Sequence, residues 1–413
     1  MIDADAPRTS RKGALILGGA HGSLEVARSL GRRGIPAWLI AADNPLASLS
    51  RYVARSFRWR GPRDNSALQF LVDLAHRHRL DGWVLFAGSD DDVRFVAQNH
   101  SALGAIFTLT TMPWEQLRWA VDKRLMNTRA DELGLARPRT RYPRSSDELA
   151  PLGIPFPVIL KPTVREGRNK FVDAKAWRID DADALLARSG EAKSLVGADS
   201  TMIQELIPGD GSTQFSYAAL WDRGRPVASL VARRRRQFPI EFGFTSTFVE
   251  TIEQPQVEGD AVRFLASLDY SGLVEIEFKH DVRDGAYKIL DVNARPWTWI
   301  SLGAAAGVDF PALQWRVAAG EEIALQRGRS GAHWRYASRD VAACFCEVFA
   351  RRLALLDSVR SFRGRAAGAV LAWDDPLPAL LDLPLSAVRV ARRWMGRRNC
   401  DATSPLQSAK LRT

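Results

Sequence analysis

Residues 272–297 read GLVEIEFKHDVRDGAYKILDVNARPW: apolar and charged side chains alternate up to Lys279, Asp284 and Gly285 supply a turn, and a second run ends in Asp291 and Asn293. Successive side chains of a strand point to opposite faces, so this pattern predicts an antiparallel hairpin. Glu275, Glu277 and Lys279 then share one face of the first strand, and Asp291 and Asn293 share one face of the second. Oxygen ligands delivered by two neighbouring strands suit Mg²⁺, which takes a few carboxylates and completes its shell with phosphate oxygens and water. A metal bridging nucleotide phosphates fits such a hairpin, and on the first strand both Glu275 and Glu277 are candidates to hold it.

Upstream, VILKP, MIQELIP, QFSYAALW, PVASLVA and STFVE are further strand-like runs with few helices between them, which predicts an antiparallel sheet region from Phe156 onward. The N-terminal part has another rhythm. Ala14 to Leu17, Ile35 to Ala41 and Gly82 to Ala87 are short apolar runs separated by helix-like stretches, and such alternation predicts a doubly wound parallel sheet covered by helices. DKRLMNTRADELGLARP, residues 122–138, has apolar residues at helical spacing and ends at Gly134 and Pro138, so a boundary is placed near Arg118. The expected class is α/β with α+β parts: a flexible tail over 1–12, a Rossmann-like parallel-sheet domain over 13–117, a second unit over 118–325, and a helical C-terminal extension over 326–413 without a readable motif.

With 413 residues, 46% of them hydrophobic, the chain can fill several cores. No apolar run has the length of a membrane span and the start, MIDADAPRTSRKG, lacks the hydrophobic stretch of a secretory signal, so a cytoplasmic location is expected. Cys344, Cys346 and Cys400 offer neither a disulfide framework nor a zinc spacing. The net charge of +11 concentrates in Arg233 to Arg236 and around Arg392, Arg393, Arg397 and Arg398, which points to anionic partners: nucleotide phosphates, substrate carboxylates or an anionic membrane face. No aromatic-interleaved or finger-like signature is present, so nucleic acid is not expected as a partner. The tail from Leu380 to Arg398 reads as a helix with a wet basic face that leaves room for weak contact with a membrane surface. LGGAHGS, residues 17–23, fails the strict dinucleotide spacing because Ala20 and Ser23 occupy glycine positions, and Ser89 of GSDDD reads as a helix N-cap.

In chain order the sequence presents Lys123, Lys161 in FPVILKPTVREG, Glu205 in MIQELIPG, Glu277, and then Asp291, Asn293 and Arg295 in DVNAR. This series resembles the ATP-grasp superfamily, in particular the carbamoyl-phosphate-synthase branch and the related carboxylate–amine ligases. The resemblance implies a lid subdomain over about 140–206 and a larger one over about 207–325 that clasp ATP. It implies Glu277 and Asp291 as ligands of Mg²⁺ (or Mn²⁺) with Asn293 assisting, Arg295 steadying the phosphates during transfer, and Lys123 and Lys161 on the α- and β-phosphates. The backbone of Gln204 to Leu206 would meet adenine, and Glu205 or Asp210 its amino group or the ribose. Asp291 stands where the family more often has Glu, and the phosphate loop TVREGRNK has one glycine, Gly167, so Arg165, Arg168 and Lys170 are candidates for side-chain contacts. In related ligases the region of RRRRQFPIEFG faces the acceptor; alternation sends every second arginine into the cleft, and Arg233 and Arg235 are assigned to substrate.

The activity implied is ADP-forming: phosphorylation of a small-molecule carboxylate, then attack of an amine on the acyl phosphate, on an amino acid or small metabolite, by a monomer or a homodimer. Carboxylation, acid–thiol ligation, or nucleotide or anionic-polymer binding without turnover are the competing readings.

Overall fold

Ala14–Leu17 (β1) is buried on both faces, as a parallel strand covered by helices on either side must be, and it forms the centre of a five-stranded sheet in a computed structural model of the chain. The structure describes residues 12–42, 44–145, 147–149, 153–163, 169–174, 176–238, 245–349 and 366–386. Residues 1–11, Asp43, Arg165, Gly167, Arg168 and the arginines at 392–398 lie outside them. Ala37–Ala41 (β2), Val53–Arg58 (β3), Val84–Ala87 (β4) and Thr108–Leu109 (β5) complete the first sheet in the order β3-β2-β1-β4-β5, every pair parallel. The order reverses direction between β1 and β4, and there Gly18 holds φ +83, with the Asp92 carboxylate only 2.7 Å from where a Cβ would stand. Both the backbone turn and the close approach require glycine.

A four-stranded antiparallel sheet follows, from Thr140–Arg141 (β6), Val158–Pro162 (β7), Trp177–Ile179 (β8) and Thr201–Glu205 (β9) in the order β6-β9-β7-β8. It has its own core of Leu160, Phe171, Ile179, Leu185 and Ile203. The third sheet is the largest. Gln214–Asp222 (β10), Arg225–Phe238 (β11), Thr245–Ile252 (β12), Gly272–His280 (β13) and Tyr287–Asn293 (β14) run antiparallel, with β14-β13-β10-β11-β12 as neighbours. The α/β class with a parallel domain followed by antiparallel sheets is therefore as the sequence predicts. Beyond residue 325, Gln326–Arg327 (β15), His333–Arg335 (β16) and Ala367–Gly368 (β17) add to the same sheet.

One apolar cluster joins Leu15, Leu85 and Phe95 of the first domain to Tyr217, Phe264 and Ile276 of the large sheet, so these two units share a core. Residues 366–386 fasten them from outside: Arg28, fully buried on the helix His21–Gly31, donates to Asp375 Oδ2 at 2.9 Å and to the Val370 carbonyl at 2.8 Å. Among the described residues no helix is long and apolar enough to cross a membrane.

Candidate active site

The three sheets converge on a cavity of about 1480 Å³. In the ladder between β13 and β14, Glu275 stands opposite Asn293 and Glu277 opposite Asp291, as alternation predicts. The register then slips, because Phe278 pairs with Ile289 and leaves Leu290 as the extra residue of a bulge. Glu275, Glu277, Leu290, Asp291 and Asn293 all line the cavity.

The two glutamates differ in commitment. Glu275 is 4% exposed and accepts from Ser216 Oγ at 3.0 Å, Trp299 Nε1 at 3.1 Å and Asn293 Nδ2 at 3.2 Å. Burial, and secondarily the neighbouring Glu277, push its carboxyl above the usual carboxylate range. Glu277 is 26% exposed, with Asn293 Nδ2 at 3.4 Å and Arg234 Nη2 at 3.9 Å. Glu277 is thus the acid with oxygens turned to open space. Asp291 Oδ1 accepts from Lys123 Nζ at 2.7 Å. Lys123 opens the helix Lys123–Glu132, whose start is fixed by Asp122 Oδ1 accepting from the backbone of Arg124 at 2.8 Å and Leu125 at 3.2 Å. Among the described residues no three His, Cys, Asp or Glu side chains are grouped to hold a metal.

Arg295 reaches across to the first domain: its Nε donates to Asp90 Oδ1 at 2.6 Å, and its Nη2 to Asn293 Oδ1 at 3.3 Å. Asp90 begins the helix Asp90–Gln98, and Ser89 caps that helix by accepting from the Asp92 backbone N–H at 3.1 Å, the role read from GSDDD. The Asp90–Arg295 contact spans 205 positions, and no local sequence signal announces a pair so distant.

Lys161 lies near the end of β7, before Pro162, and lines the cavity. Gln204, Glu205 and Leu206 line it at the end of β9. Gln204 Nε2 donates to Thr140 Oγ1 at 3.1 Å. The Glu205 carboxylate accepts from the Arg139 backbone N–H at 3.1 Å and from Arg283 Nη2 at 2.5 Å, with Lys288 Nζ at 3.9 Å. That carboxylate braces the small sheet against the hairpin turn. Asp210 also lines the cavity and accepts from Ser212 N at 2.8 Å and Ser212 Oγ at 2.6 Å, while Lys279 Nζ donates to the Gly209 carbonyl at 2.8 Å. Lys170 pairs with Glu191 on the small domain.

The arginine run requires a correction. Arg234, and not Arg233 or Arg235, lines the cavity. Arg233 Nε donates to the Ser212 carbonyl at 2.8 Å, and Arg235 pairs with Glu250 at 3.0 Å. Arg236 is buried against Asp340, donating from Nε at 2.9 Å and Nη2 at 2.7 Å. The ladder is regular up to Arg234 and puts it in phase with Ala232, Ser216 and Glu277 on the cavity side; beyond it Arg234 pairs with Val249 and Arg236 with Phe248, so Arg235 is an inserted residue and strict alternation is lost. Arg234 is held toward the cavity by Gln214 and Gln237, donating to the latter at 3.0 Å. Gln214 and Gln237 are cavity residues that the sequence does not single out.

No family model matches the chain. A D-aspartate ligase of Enterococcus faecium is 24% identical over 230 residues, covering 52% of this chain and 53% of that ligase. The match thus spans about half the length of that curated relative. Among solved structures, the biotin carboxylase domain of the Hydrogenobacter thermophilus 2-oxoglutarate carboxylase, in complex with MgADP, ADP and bicarbonate, matches with TM-score 0.62 and 17% identity over 78% of this chain and 73% of its own. An L-amino acid ligase from Bacillus licheniformis gives 0.60 and 16% over 76% of each chain. An N5-carboxyaminoimidazole ribonucleotide synthetase gives 0.58 and 14% over 78% and 79%. The fold of this chain is the ATP-grasp fold that these enzymes share.

Proposed function

We propose that this chain is an ATP- and Mg²⁺-dependent ligase that phosphorylates a substrate carboxylate and couples the acyl phosphate to an amine, releasing ADP and phosphate, with an amino acid or small metabolite as substrate. The observation that carries the reading is the convergence of Lys123, Lys161, Glu277, Asp291, Asn293 and Arg295 on one cavity. The D-aspartate ligase relative supports C–N bond formation over carboxylation. On the same reading the four-stranded sheet at about 140–206 is the lid, residues to about 325 are the larger subdomain, and the protein works in the cytoplasm on small molecules.

The donor set fits the metal. Glu277 and Asp291 face each other across the ladder with Asn293 two residues on, an all-oxygen set that leaves the rest of an octahedral shell to phosphate and water. The ion, Mg²⁺ or Mn²⁺, would supply charge neutralisation on the phosphates. The remaining work is positioning. Lys123 and Lys161 serve as point charges for the α- and β-phosphates, and the backbone at Gln204 to Leu206 serves adenine. Arg295 and Arg234 flank the acids where charge develops on the transferred group, and fixed donors there stabilise a transition state without reorganising.

In the first step a carboxylate oxygen bonds to the γ-phosphorus as the bond to the ADP oxygen breaks. In the second the amine nitrogen bonds to the carbonyl carbon, phosphate leaves and the nitrogen loses a proton. No nucleophilic side chain is required. The test is ADP and phosphate release with Mg²⁺ across pooled carboxylates and amines, for wild type, Asp291→Ala and Lys161→Ala. Release that needs both substrates and disappears in both variants is expected; AMP formation, or tight ATP binding without turnover, overturns the reading.

A further inference from the structure

A helix on the surface of a protein in water hides its leucines and shows its acids. Helix 377–386 packs Ala379 and Leu385 on the core but shows its other face otherwise, burying its acid and exposing leucines. Asp382 is 3% exposed, and its Oδ2 accepts from Tyr336 Oη at 2.7 Å, whereas Leu377, Leu380 and Leu383, three apart along the helix, are 47%, 70% and 61% exposed. The turn before it is inverted in the same sense. Asp375 is 1% exposed, held by Arg28, Ser50 Oγ at 2.7 Å and the Arg51 backbone N–H at 3.0 Å, while Trp373 is 92% exposed and Leu371 51%. Asp374 is occupied as well, by Arg32 Nε at 2.8 Å and Tyr52 Oη at 2.7 Å. These bonds and the pairing of β17 pin the strap to the body, so its apolar side chains are displayed by a fixed scaffold and not by fraying.

The surroundings say what this surface meets. Arg32 and Arg51 lie beside the Trp373 turn, Arg32 on the Asp374 carboxylate and Arg51 on the Asp374 carbonyl. In sequence the leucines are followed by Arg389, Arg392, Arg393, Arg397 and Arg398, with no acid between Leu383 and Cys400. A contact with a second copy would bring together two chains that each carry a net charge of +11, and like charges oppose docking. An anionic bilayer matches both halves of the pattern, since tryptophan and leucine enter the headgroup boundary and arginines bind lipid phosphates.

We propose that the strap 371–386 is a membrane-surface anchor that seats Trp373, Leu380 and Leu383 in an anionic lipid bilayer. The proposal is independent of the catalytic reading. It is tested by sedimenting the full chain with equimolar phosphatidylglycerol–phosphatidylcholine vesicles and with phosphatidylcholine vesicles, beside the double variant Trp373→Ser/Leu380→Ser and a sedimentation-velocity run of each protein alone. The expected result is binding to the anionic vesicles only, weakened by salt, and lowered about tenfold or more in the variant with an unchanged thermal midpoint. Absence of binding by the wild type overturns the proposal, as does binding that the variant leaves intact, which would assign it to the arginines alone. A vesicle-independent dimer that the variant dissolves overturns it in favour of a second copy.

Discussion

Strands β13 and β11 both carry a run of charge past the cavity, and they deploy it differently. In β13 the ladder with β14 is regular up to Glu277, so both glutamates, Asp291 and Asn293 address one space. In β11 four consecutive arginines go to four places, a carbonyl, the cavity, Glu250 and Asp340: alternation separates the first two, and two irregularities between Arg234 and Gln237 separate the rest. A regular ladder accumulates like side chains on one face, which is useful where a cation is to be gathered. A bulged ladder separates residues that alternation would put together, here Arg234 and Arg236, which spares those two guanidinium groups the repulsion of a shared face.

The sharpest way to break this contrast is Asp291→Ala. It removes one half of the acid pair and the partner of Lys123, so ATP turnover should fall about a thousandfold or more, with part of the loss recovered at high Mn²⁺ or Mg²⁺. Turnover within about tenfold of wild type in a coupled ADP assay would dissociate the hairpin from the chemistry. Next in size is Asp340→Ala. Arg236 is buried with that carboxylate as its bidentate partner, and leaving it uncompensated should cost about 3 kcal/mol in urea unfolding with turnover retained by the folded fraction. An unchanged midpoint would mean that Arg236 finds water.

Arg234→Ala and Arg235→Ala test the division within β11 directly. The first should lower kcat/KM about a hundredfold, as loss of a fixed charge near the transferring group does. The second, a half-exposed pair with Glu250, should stay within about twofold. Equal effects would show that the facing of β11 does not decide which arginine serves the cleft.

The parts of the molecule legible in sequence are those where one periodicity runs unbroken. β1, β2 and β4 are continuous apolar runs and could be placed as a parallel sheet. The hairpin acids fall as alternation predicts. What escaped is of two kinds. A bulge changes the facing of every residue after it, and nothing in RRRRQF marks where the insertion lies. Contacts made at long range, such as Asp90 with Arg295 or Arg28 with Asp375, depend on how domains dock, and a local reading sees Asp90 only as part of a helix start. The inversion of helix 377–386 escaped for a related reason: which face is buried depends on Tyr336, 46 positions away.

The hairpin turn supplies an effect on stability with a pH signature. Asp281, at the end of β13, is fully buried. Its carboxylate accepts from Arg283 Nε at 2.9 Å and Nη2 at 2.6 Å, and from Lys288 Nζ at 2.7 Å. The Arg283 hydrogen bonds, opposed by burial and aided by Lys288, hold its carboxyl well below the usual range. A depressed folded-state value stabilises the fold above the unfolded value of about 3.9, and that contribution disappears as pH falls through it toward the folded one. Because Arg283 is 42% exposed, solvent screens the pair and the contribution is on the order of 2 kcal/mol. Asp281→Asn should therefore lower the thermal midpoint at pH 7, and the gap to wild type should narrow steadily below about pH 4. A gap independent of pH would assign the loss to packing of the turn, and the charge network between Glu205, Arg283 and Lys288 would then hold the four-stranded sheet without Asp281.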